Sequence, residues 1–220
     1  MKQAVIFGIT DLSILLSEFL KQDPVYQIAA YTLHRSYLPS DQTTFLGRPL
    51  VAFEDMEAQY PPAEYDLFLC LGYKNMNLPR QQVWEAAKAK GYRIASYVHP
   101  TAIVQAQELG EGNLIMEGVI LGCHTQIGCG NIFYAGAHVA HHTIVGDFNF
   151  FAISCAVAGH VQVDGHCFIG NNSTIRNGVR LADFSLVGAG CYIAYDTKPH
   201  SVTVPARSVT LEANSLDVEL

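Results

Sequence analysis

Histidines are concentrated in one part of this chain. Nine are present, and six of them fall between positions 124 and 166: His124, His138, His141, His142, His160 and His166. Imidazole has an intrinsic pKa near neutrality, so histidine commonly takes the proton of an amine or hydroxyl that acts as a nucleophile. Neutral imidazole is also a common zinc ligand. The cluster therefore predicts either proton transfer or metal binding in this half of the chain.

Three of these residues, His124, His142 and His160, are separated by intervals of eighteen. Eighteen is three times the six-residue period of the same region, so a structure that completes one turn every three units would stack them along one edge. We call these three residues the histidine ladder. Stacked imidazoles disfavour joint protonation because like charges repel, so the activity of a site built on the ladder should fall in acid.

A repeat of six residues underlies the elements that position the histidines. One residue in every six is aliphatic or phenylalanine, without interruption, from Ile103 to Ile193. The residue two positions earlier is mostly small, from Thr101 to Cys191. Residues two apart in a strand point to the same side, so both sets are predicted to face inward. Each unit reads as a short strand followed by a corner, and the region is predicted to be a solenoid.

Glycine and proline are placed as such a solenoid requires. Pro100 and Pro199 bracket the region and no proline lies between them, as expected of strands in a hydrogen-bonded ladder. A β-sandwich with a coincidental pattern is the alternative, but sandwiches show turn signals every 8–12 residues. Six glycines directly follow a large inward residue, where a tight bend would favour a residue without Cβ: Gly110, Gly122, Gly128, Gly146, Gly170 and Gly188.

The first hundred residues show strands alternating with helices. An apolar run at 5–7 reads as a strand that leads into a helix with Asp11 as its N-cap. A second helix is predicted at 77–90. This alternation is typical of a small parallel sheet, similar to a truncated Rossmann domain. Further strands are predicted at 28–31, 67–71 and 94–98.

Length, charge and composition narrow the class of protein. A chain of 220 residues can bury two modest cores, so two domains fit the length. A formal net charge of −7 argues against nucleic acid or acidic lipid as a partner. The apolar runs are too short for a signal peptide or a membrane span, so a cytoplasmic protein is expected. Cys155, Cys167 and Cys191 fall in the small inward set and are predicted to be reduced packing residues.

The unbroken repeat resembles that of the hexapeptide-repeat, left-handed parallel β-helix acyltransferases. Three units form one triangular coil in that family, so the resemblance implies about five coils. The linking segment YVHPTAI at 97–103 and the closing VPAR at 204–207 are similar to those of the PglD and NeuD type of sugar acetyltransferase. The predicted fold class is an α/β N-terminal Rossmann-like domain followed by a left-handed parallel β-helix. The domains are predicted at 1–97 and 98–197, with a C-terminal tail at 198–220.

The resemblance also implies a function. Members of this group transfer an acetyl group from acetyl-CoA to the amine of a nucleotide-linked amino sugar, or to a sialic acid hydroxyl, and work as trimers with active sites between neighbouring β-helices. We therefore expect an acetyl-CoA-dependent sugar N-acetyltransferase that forms a homotrimer and binds neither nucleic acid nor membrane. The alternatives are a sialic-acid-type sugar O-acetyltransferase, a zinc lyase similar to γ-class carbonic anhydrases and a non-catalytic trimeric scaffold.

The family register assigns roles to the histidines. The catalytic histidine of the family lies five residues before a glycine, which implies that His141 is the general base. His142 stands where relatives often carry an aspartate or glutamate that orients the ring, and it is expected to share in catalysis. Phe150 replaces a further histidine that many relatives place near the acetyl group. His124 and His160 are expected to line the site and place the substrate.

The resemblance also implies where the acyl donor binds. Acyl-CoA is expected in the groove between neighbouring coils on the C-terminal side of His141. Lys198 and Arg207 are expected near the adenosine phosphates because few other cations lie nearby. Small residues that would let backbone amides approach the pantetheine arm are Ala158, Gly159, Gly170, Asn171, Gly188, Ala189 and Gly190.

The turn after the first strand departs from the family pattern. Relatives carry a glycine-rich turn that closes on nucleotide phosphates, whereas this turn keeps only Gly8. Asp11 adds negative charge at a helix start that would otherwise attract phosphate, so a dinucleotide cofactor is not expected. Thr10 and Ser13, together with Gly8, are the candidates for holding a sugar nucleotide.

A zinc site is the other use that the ladder suggests. The γ-class carbonic anhydrases hold zinc on the same kind of β-helix, with one pair of histidines five residues apart and a third histidine from the neighbouring chain. No two histidines of this chain are five apart, so no metal is expected.

Overall fold

The structure is a computed structural model, and it describes residues 1–208 and 212. An α/β part comes first in the chain, and a solenoid of two-residue strands follows it. The predicted fold class, a Rossmann-like domain followed by a left-handed parallel β-helix, is confirmed. Among the described residues, the helices are all too short or too polar to cross a membrane.

The N-terminal part is built on a five-stranded sheet with the order β3-β4-β2-β1-β5. Its neighbours are parallel except β3 and β4, which form an antiparallel hairpin. The strands are β1 (Lys2–Phe7), β2 (Tyr26–Leu33), β3 (Thr44–Phe45), β4 (Arg48–Ala52) and β5 (Tyr65–Leu69). The helices are α1 (Asp11–Leu20) and α2 (Leu78–Ala89), with two short 3₁₀ turns at Arg35–Tyr37 and Met56–Ala58.

The predicted N-cap of α1 is wrong by one residue. Thr10 is the N-cap, because its backbone is still extended whereas Asp11 is already helical. The Thr10 hydroxyl accepts a hydrogen bond from the Ser13 N–H, and the Ser13 hydroxyl accepts one from the Thr10 N–H. This reciprocal arrangement is a capping box. Helix α2 begins after Asn77 and ends before Lys90, as the sequence predicts.

The strand predicted at 94–98 is divided between the two parts. Ile94 makes an isolated bridge to Leu67 of β5. Tyr97–Val98 instead pairs with Leu114–Ile115 in the solenoid. The β3–β4 hairpin carries no clear sequence signal because it lies at the sheet edge and only two of its seven residues, Leu50 and Ala52, are buried.

The second part is a triangular β-helix with one parallel sheet on each side. Face 1 consists of Ile103–Val104, Ile120–Leu121, His138–Val139, Ala156–Val157, Thr174–Ile175 and Tyr192–Ile193. Face 2 consists of Glu108–Leu109, Gln126–Ile127, Ile144–Val145, Gln162–Val163 and Arg180–Leu181. Face 3 consists of Tyr97–Val98, Leu114–Ile115, Ile132–Phe133, Phe150–Phe151, Phe168–Ile169, Leu186–Val187 and Val202–Thr203. The chain visits the three faces in turn.

Both residue sets predicted to face inward do so in the body of the β-helix. The large residues from Ile115 to Ile193 are at most 5% exposed, and the small ones from Asn113 to Cys191 are at most 4% exposed. Cys155, Cys167 and Cys191 are therefore buried, and all six cysteines are unpaired in the described part of the chain. Burial raises the pKa of the Cys155 and Cys167 thiols to about 12, which keeps both protonated at neutral pH.

The first unit of the repeat is out of register. Val104, not Ile103, pairs with Leu121, so Val104 takes the inward position. The first coil is one residue shorter than the others at this point, and a shift of one residue turns a side chain to the opposite face of a strand. Ile103 and Thr101 are accordingly exposed, which corrects their predicted inward placement.

The corners combine a left-handed residue with close contact between coils. In the body of the β-helix the left-handed residue lies three positions after each large inward residue, with φ between 53° and 73°. The glycines predicted as bends precede it and are needed for another reason. A Cβ atom at Gly146, for example, would lie 2.8 Å from the Asp164 carbonyl oxygen of the next coil.

The N-terminal part covers face 3. Outward residues of this face, including Leu114, Ile132 and Phe150, form one buried cluster with Leu12 and Leu16 of α1. Apolar residues therefore occupy outward positions that would face water on the other two faces. Because the two parts share a core, residues from both can line one cleft.

Candidate active site

His141 and His142 occupy the corner between faces 1 and 2. They follow the strand His138–Val139 and precede the strand Ile144–Val145. The backbone N–H of His160 in the next coil donates to the His141 carbonyl at 3.1 Å. Both imidazoles are exposed. The predicted base is thus carried by a hydrogen-bonded backbone and faces solvent.

The predicted stacking of the histidine ladder is present. The ring centroids of His124 and His142 lie 4.8 Å apart, and those of His142 and His160 lie 4.9 Å apart. All three residues occupy the left-handed corner position, with φ of 57–59°. This conformation costs a residue with a Cβ atom about 1–2 kcal/mol and costs glycine almost nothing. Histidine at three consecutive corners indicates a role for the side chains beyond the fold.

One hydrogen bond joins the two adjacent histidines. The Nδ1 atoms of His141 and His142 lie 3.0 Å apart, so one ring donates to the other. Desolvation lowers the pKa of His142, and charge on His124, His160 and His141 lowers it further. A neutral His142 can accept the bond. When His141 Nδ1 carries the shared proton, His141 Nε2 keeps a free lone pair and can act as a base.

Gly159 forms the surface on which the His141 ring lies. A Cβ atom at this position would lie 2.6 Å from His141 Cε1 and 2.9 Å from its Nε2. The Asn177 side chain of the next coil donates to the Gly159 carbonyl at 2.7 Å and holds this backbone in place. A larger residue here would therefore displace the ring of the predicted base.

An aromatic cleft of about 280 Å³ lies where the β-helix meets the N-terminal part. In this cleft the ring of Tyr73 contacts the rings of Phe150 and Phe168, and both centroid distances are 4.9 Å. Aromatic faces of this kind stack with nucleobases. The residues that line this aromatic cleft are Tyr73, Tyr134, Phe150, Ala152, Ile153, Phe168, Gly170, Asn171 and Ala189.

Sequence reasoning missed Tyr73, Tyr134 and Phe168 as site residues. One signal was available, because Phe150 and Phe168 are eighteen residues apart and both occupy outward positions. The equivalent outward positions of face 2 carry polar residues such as Gln162, with the exception of the exposed Ile144. Tyr73 belongs to the loop after β5, and no repeat relates it to the β-helix.

The N-terminal turn is fixed by contacts with the loop after β5. Gly8 has a φ of 122°, and a Cβ atom there would lie 2.7 Å from the Cys70 carbonyl oxygen. The Thr10 hydroxyl donates to the same oxygen at 3.1 Å. Ser13 is completely buried and its hydroxyl donates to the Thr10 carbonyl. The Ser13 side chain therefore has no exposed surface in this arrangement, and its contact with a sugar nucleotide stays a prediction.

Three histidines also come within reach of a shared ion. His141, His142 and His160 each offer one ligand nitrogen, and the three nitrogens lie within 4.8 Å of one another. A tetrahedral zinc ion with Zn–N bonds near 2.05 Å needs separations of about 3.4 Å. The rings would therefore have to close slightly around a metal. The prediction of no metal depends on the absence of two histidines five residues apart. In the folded chain His160 of the next coil comes close to His141 and His142 without that spacing.

No protein-family model matches the chain. Among solved structures, PerB from Caulobacter crescentus in complex with CoA and GDP-perosamine is 27% identical, with a TM-score of 0.79 over 94% of this chain and 97% of that one. The acetyltransferase domain of PglB from Neisseria gonorrhoeae is 20% identical, with a TM-score of 0.80 over 92% and 96%. This chain has the fold of the hexapeptide-repeat sugar acetyltransferases. WeeI from Acinetobacter baumannii shares it as well, at 17% identity and a TM-score of 0.81 over 93% and 97%.

In this hexapeptide-repeat chain, the residues predicted to bind acyl-CoA fall at two corners. Ala158 and Gly159 lie beside His141, at the corner between faces 1 and 2. Another group lies at the corner between faces 3 and 1, where it lines or flanks the aromatic cleft: Gly170, Asn171, Gly188, Ala189 and Gly190. A single hexapeptide-repeat domain does not bring the two groups together, because a strand of face 1 separates these corners.

The two predicted phosphate ligands lie near the C-terminal end of the hexapeptide-repeat domain. Lys198 and Arg207 are exposed, and Lys198 shares a shallow groove with Tyr192 and Tyr195. Within residues 1–208 and 212, neither cation takes part in a salt bridge. Both charges are therefore open to an anion.

Proposed function

We propose that the protein is an acetyl-CoA-dependent N-acetyltransferase that acts on a nucleotide-linked amino sugar. The observation that carries the proposal is the hydrogen-bonded pair of His141 and His142, lying on Gly159 at a β-helix corner. A perosamine N-acetyltransferase of the same fold has been solved with CoA and GDP-perosamine. The PglB domain has been solved with acetyl coenzyme A. These complexes support a CoA thioester as donor and a nucleotide sugar as acceptor.

His141 is the general base in this mechanism. Its Nδ1–H donates to His142 Nδ1, which fixes the tautomer and leaves the Nε2 lone pair for the acceptor amine. As the amine nitrogen attacks the thioester carbonyl, its proton passes to Nε2. The C–N bond forms, the C–S bond breaks, and the departing CoA thiolate takes the proton from His141. The products are an acetamido sugar and free CoA thiol.

The site is completed between copies of the chain. His141 and the aromatic cleft occupy different corners of the β-helix, so a second copy must bring its cleft to the first copy's histidine. A closed trimer of parallel β-helices presents one corner of each chain to a different corner of its neighbour and repeats this contact three times. Acetyl-CoA then lies between Gly159 of one copy and Ala189 of the next. The nucleotide sugar reaches the site from the cleft, and Gly8 and Thr10 are the proposed contacts of its nucleotide.

The cluster of His141, His142 and His160 supports one other function, that of a metal-dependent lyase. Purified protein of this kind would carry about one zinc per site, whereas the transferase carries none. Elemental analysis therefore separates the two functions.

The test of the proposed function is release of CoA thiol from acetyl-CoA in the presence of UDP-, GDP- and dTDP-linked amino sugars and of free sialic acids. Release is expected with one amino sugar and should fall at least a hundredfold in His141→Ala. Acetylation of a sialic acid hydroxyl would transfer the assignment to O-acetylation. Thiol release unaffected by the mutation would exclude His141 as the base, and no release with any acceptor would favour a scaffold.

A further inference from the structure

Arg80 is a buried cation that the proposed chemistry does not use. It belongs to the first turn of α2, and its side chain is only 1% exposed. None of the salt bridges among residues 1–208 and 212 involves it. A buried charge without a carboxylate partner is unfavourable unless hydrogen bonds compensate it completely.

Backbone carbonyls provide that compensation. Arg80 Nε donates to the Gly130 carbonyl at 2.8 Å, and Nη2 donates to those of Phe148 and Asn149 at 3.1 Å each. These three oxygens belong to the corner between faces 2 and 3 of the β-helix. Nη1 donates to the carbonyls of Leu71 and Gly72, at 3.0 and 2.9 Å. All five N–H groups of the guanidinium are satisfied, and they join the loop after β5 to two coils of the β-helix.

The loop that Arg80 holds is strained. Asn75, Met76 and Asn77 have consecutive left-handed backbones, with φ of 49°, 49° and 66°. Such conformations persist only where the surroundings impose them. Asn77 is completely buried, and its side-chain amide donates to the Cys167 carbonyl of the β-helix at 3.3 Å. The loop is therefore fixed at both ends. Arg80 holds its first residues through the Leu71 and Gly72 carbonyls, and the side chain of Asn77, the N-cap of α2, holds its last residue.

This loop supplies one wall of the aromatic cleft. Tyr73 immediately follows the carbonyls that Arg80 binds, and its ring lies against Phe150 and Phe168 although it is 56% exposed. The Met76 carbonyl of the same loop lies 3.2 Å from His166 Nδ1 of the β-helix, so this contact also restrains the loop. We propose that Arg80 is a positioning residue that presets the Tyr73 loop, so that the aromatic cleft is formed before the nucleotide sugar arrives. The substrate part of this inference rests on the proposed function.

Substitution of Arg80 should weaken acceptor binding without affecting the chemistry. Arg80→Lys keeps the charge but loses the planar guanidinium, whose N–H groups bond to both the loop after β5 and the β-helix. The Tyr73 loop is therefore expected to be released. We expect the KM for the nucleotide sugar to rise at least tenfold, with the kcat and the KM for acetyl-CoA changed less than threefold. Tyr73→Ala should raise the same KM. The double variant Arg80→Lys/Tyr73→Ala should have a KM for the nucleotide sugar no higher than that of the more impaired single variant, because both substitutions act through one loop.

A second variant covers the possibility that Arg80→Lys fails to fold. Asn77→Gly keeps the left-handed backbone and a permissible N-cap while it removes the bond to Cys167, so a folded protein with a released loop is expected. Ala87→Gly is the control, because it weakens the same helix almost three turns away from the loop. This control should lower the thermal midpoint but leave the acceptor KM unchanged.

Hydrogen exchange gives a readout that needs no activity. The Asn77 and Leu78 amides are hydrogen-bonded within the loop, and their exchange should accelerate at least tenfold in Arg80→Lys and Asn77→Gly but not in Ala87→Gly. Faster exchange in variants of a protein with no measurable transferase activity would overturn the proposed function, but it would still support the role of Arg80 in holding the Tyr73 loop. If exchange, or the acceptor KM, is unchanged in folded variants, Arg80 does not position the cleft.

Discussion

At the scale of single residues, His142 gives the site its own pH response. A carboxylate beside a catalytic histidine stays charged and accepting throughout the neutral range. A neutral imidazole accepts through one nitrogen only, and protonation turns that nitrogen into a donor. His141 can therefore donate to His142 only while His142 is neutral. Once His142 gains a proton, its Nδ1 becomes the donor, and His141 must accept through Nδ1 and carry its own proton on Nε2, where it is no longer a base.

The first prediction concerns the acid side of the pH profile. Because the pKa of His142 is lowered, His142 stays neutral down to a pH below the ordinary pKa of histidine. Activity is expected to be lost as the pH falls through this lowered pKa. His124→Gly removes a positive neighbour, so the pKa of His142 rises and the acid limb of kcat/KM moves to higher pH. His200→Gly is the matched control, since His200 has the same left-handed backbone, with φ of 60°, but stacks on Phe184 outside the ladder. An unmoved limb in His124→Gly would show that the ladder does not tune the base.

The second prediction concerns the glycine beneath the base. Gly159→Ala would place a methyl group within 2.6 Å of His141 Cε1, so the ring must move and kcat should fall at least tenfold. Gly165→Ala occupies the same position of the next unit, where the nearest atom is a flexible carboxylate oxygen of Asp183 at 3.3 Å. Steady-state kinetics of the two variants are the measurement. Equal activities would mean that the position of the His141 ring does not limit the reaction.

At the scale of elements, the sequence predicts what the repeat controls and little else. The inward sets and the stacked ladder follow from the six-residue period, because every coil imposes the same geometry on equivalent residues. Ile103 fails because one shorter coil shifts the register, and such a change leaves no trace in residue types. Asp11 fails because Thr10 and Asp11 are both good caps. Tyr73 could not be assigned from sequence, because its place in the cleft depends on how two unrelated parts pack. The roles of the site residues and the domain bounds stay predictions.

The third prediction concerns an asparagine ladder inside the β-helix. Asn131 and Asn149 each accept a hydrogen bond from the backbone N–H eighteen residues later, and Asn149 also donates to the Asp164 carbonyl. Asn149→Ala would leave the buried Cys167 N–H and the Asp164 carbonyl without these partners. We expect a loss of about 2 kcal/mol in the free energy of unfolding, measured by urea titration at fixed protein concentration.

The control for this substitution is Thr174→Ala, an exposed outward position on face 1. It should change the free energy of unfolding by less than about 0.5 kcal/mol. If the two variants unfold at the same urea concentration, the asparagine side chains contribute nothing that an apolar residue cannot.

At the scale of the whole molecule, the separation of His141 from the aromatic cleft predicts shared active sites. Light scattering should give three times the chain mass of 24.1 kDa. Trimers made only of His141→Ala chains, and trimers made only of Tyr73→Ala chains, should each have low transferase activity. Mixed trimers should recover activity, because some interfaces then combine an intact histidine with an intact cleft. No recovery in mixed trimers, or a monomeric protein with full activity, would place the whole site within one chain.

The stacked coils also restrict how this site can change. Equivalent side chains of adjacent coils lie about one strand spacing apart, as the 4.8 and 4.9 Å ring separations of the ladder show. A group relocated by eighteen residues keeps its orientation and moves by one such step along the axis. Distances along the axis between equivalent positions of one chain are therefore adjustable only in discrete increments. A groove that runs along the axis can therefore be lengthened or shortened by the gain or loss of an entire coil, and smaller adjustments require substitution of side chains.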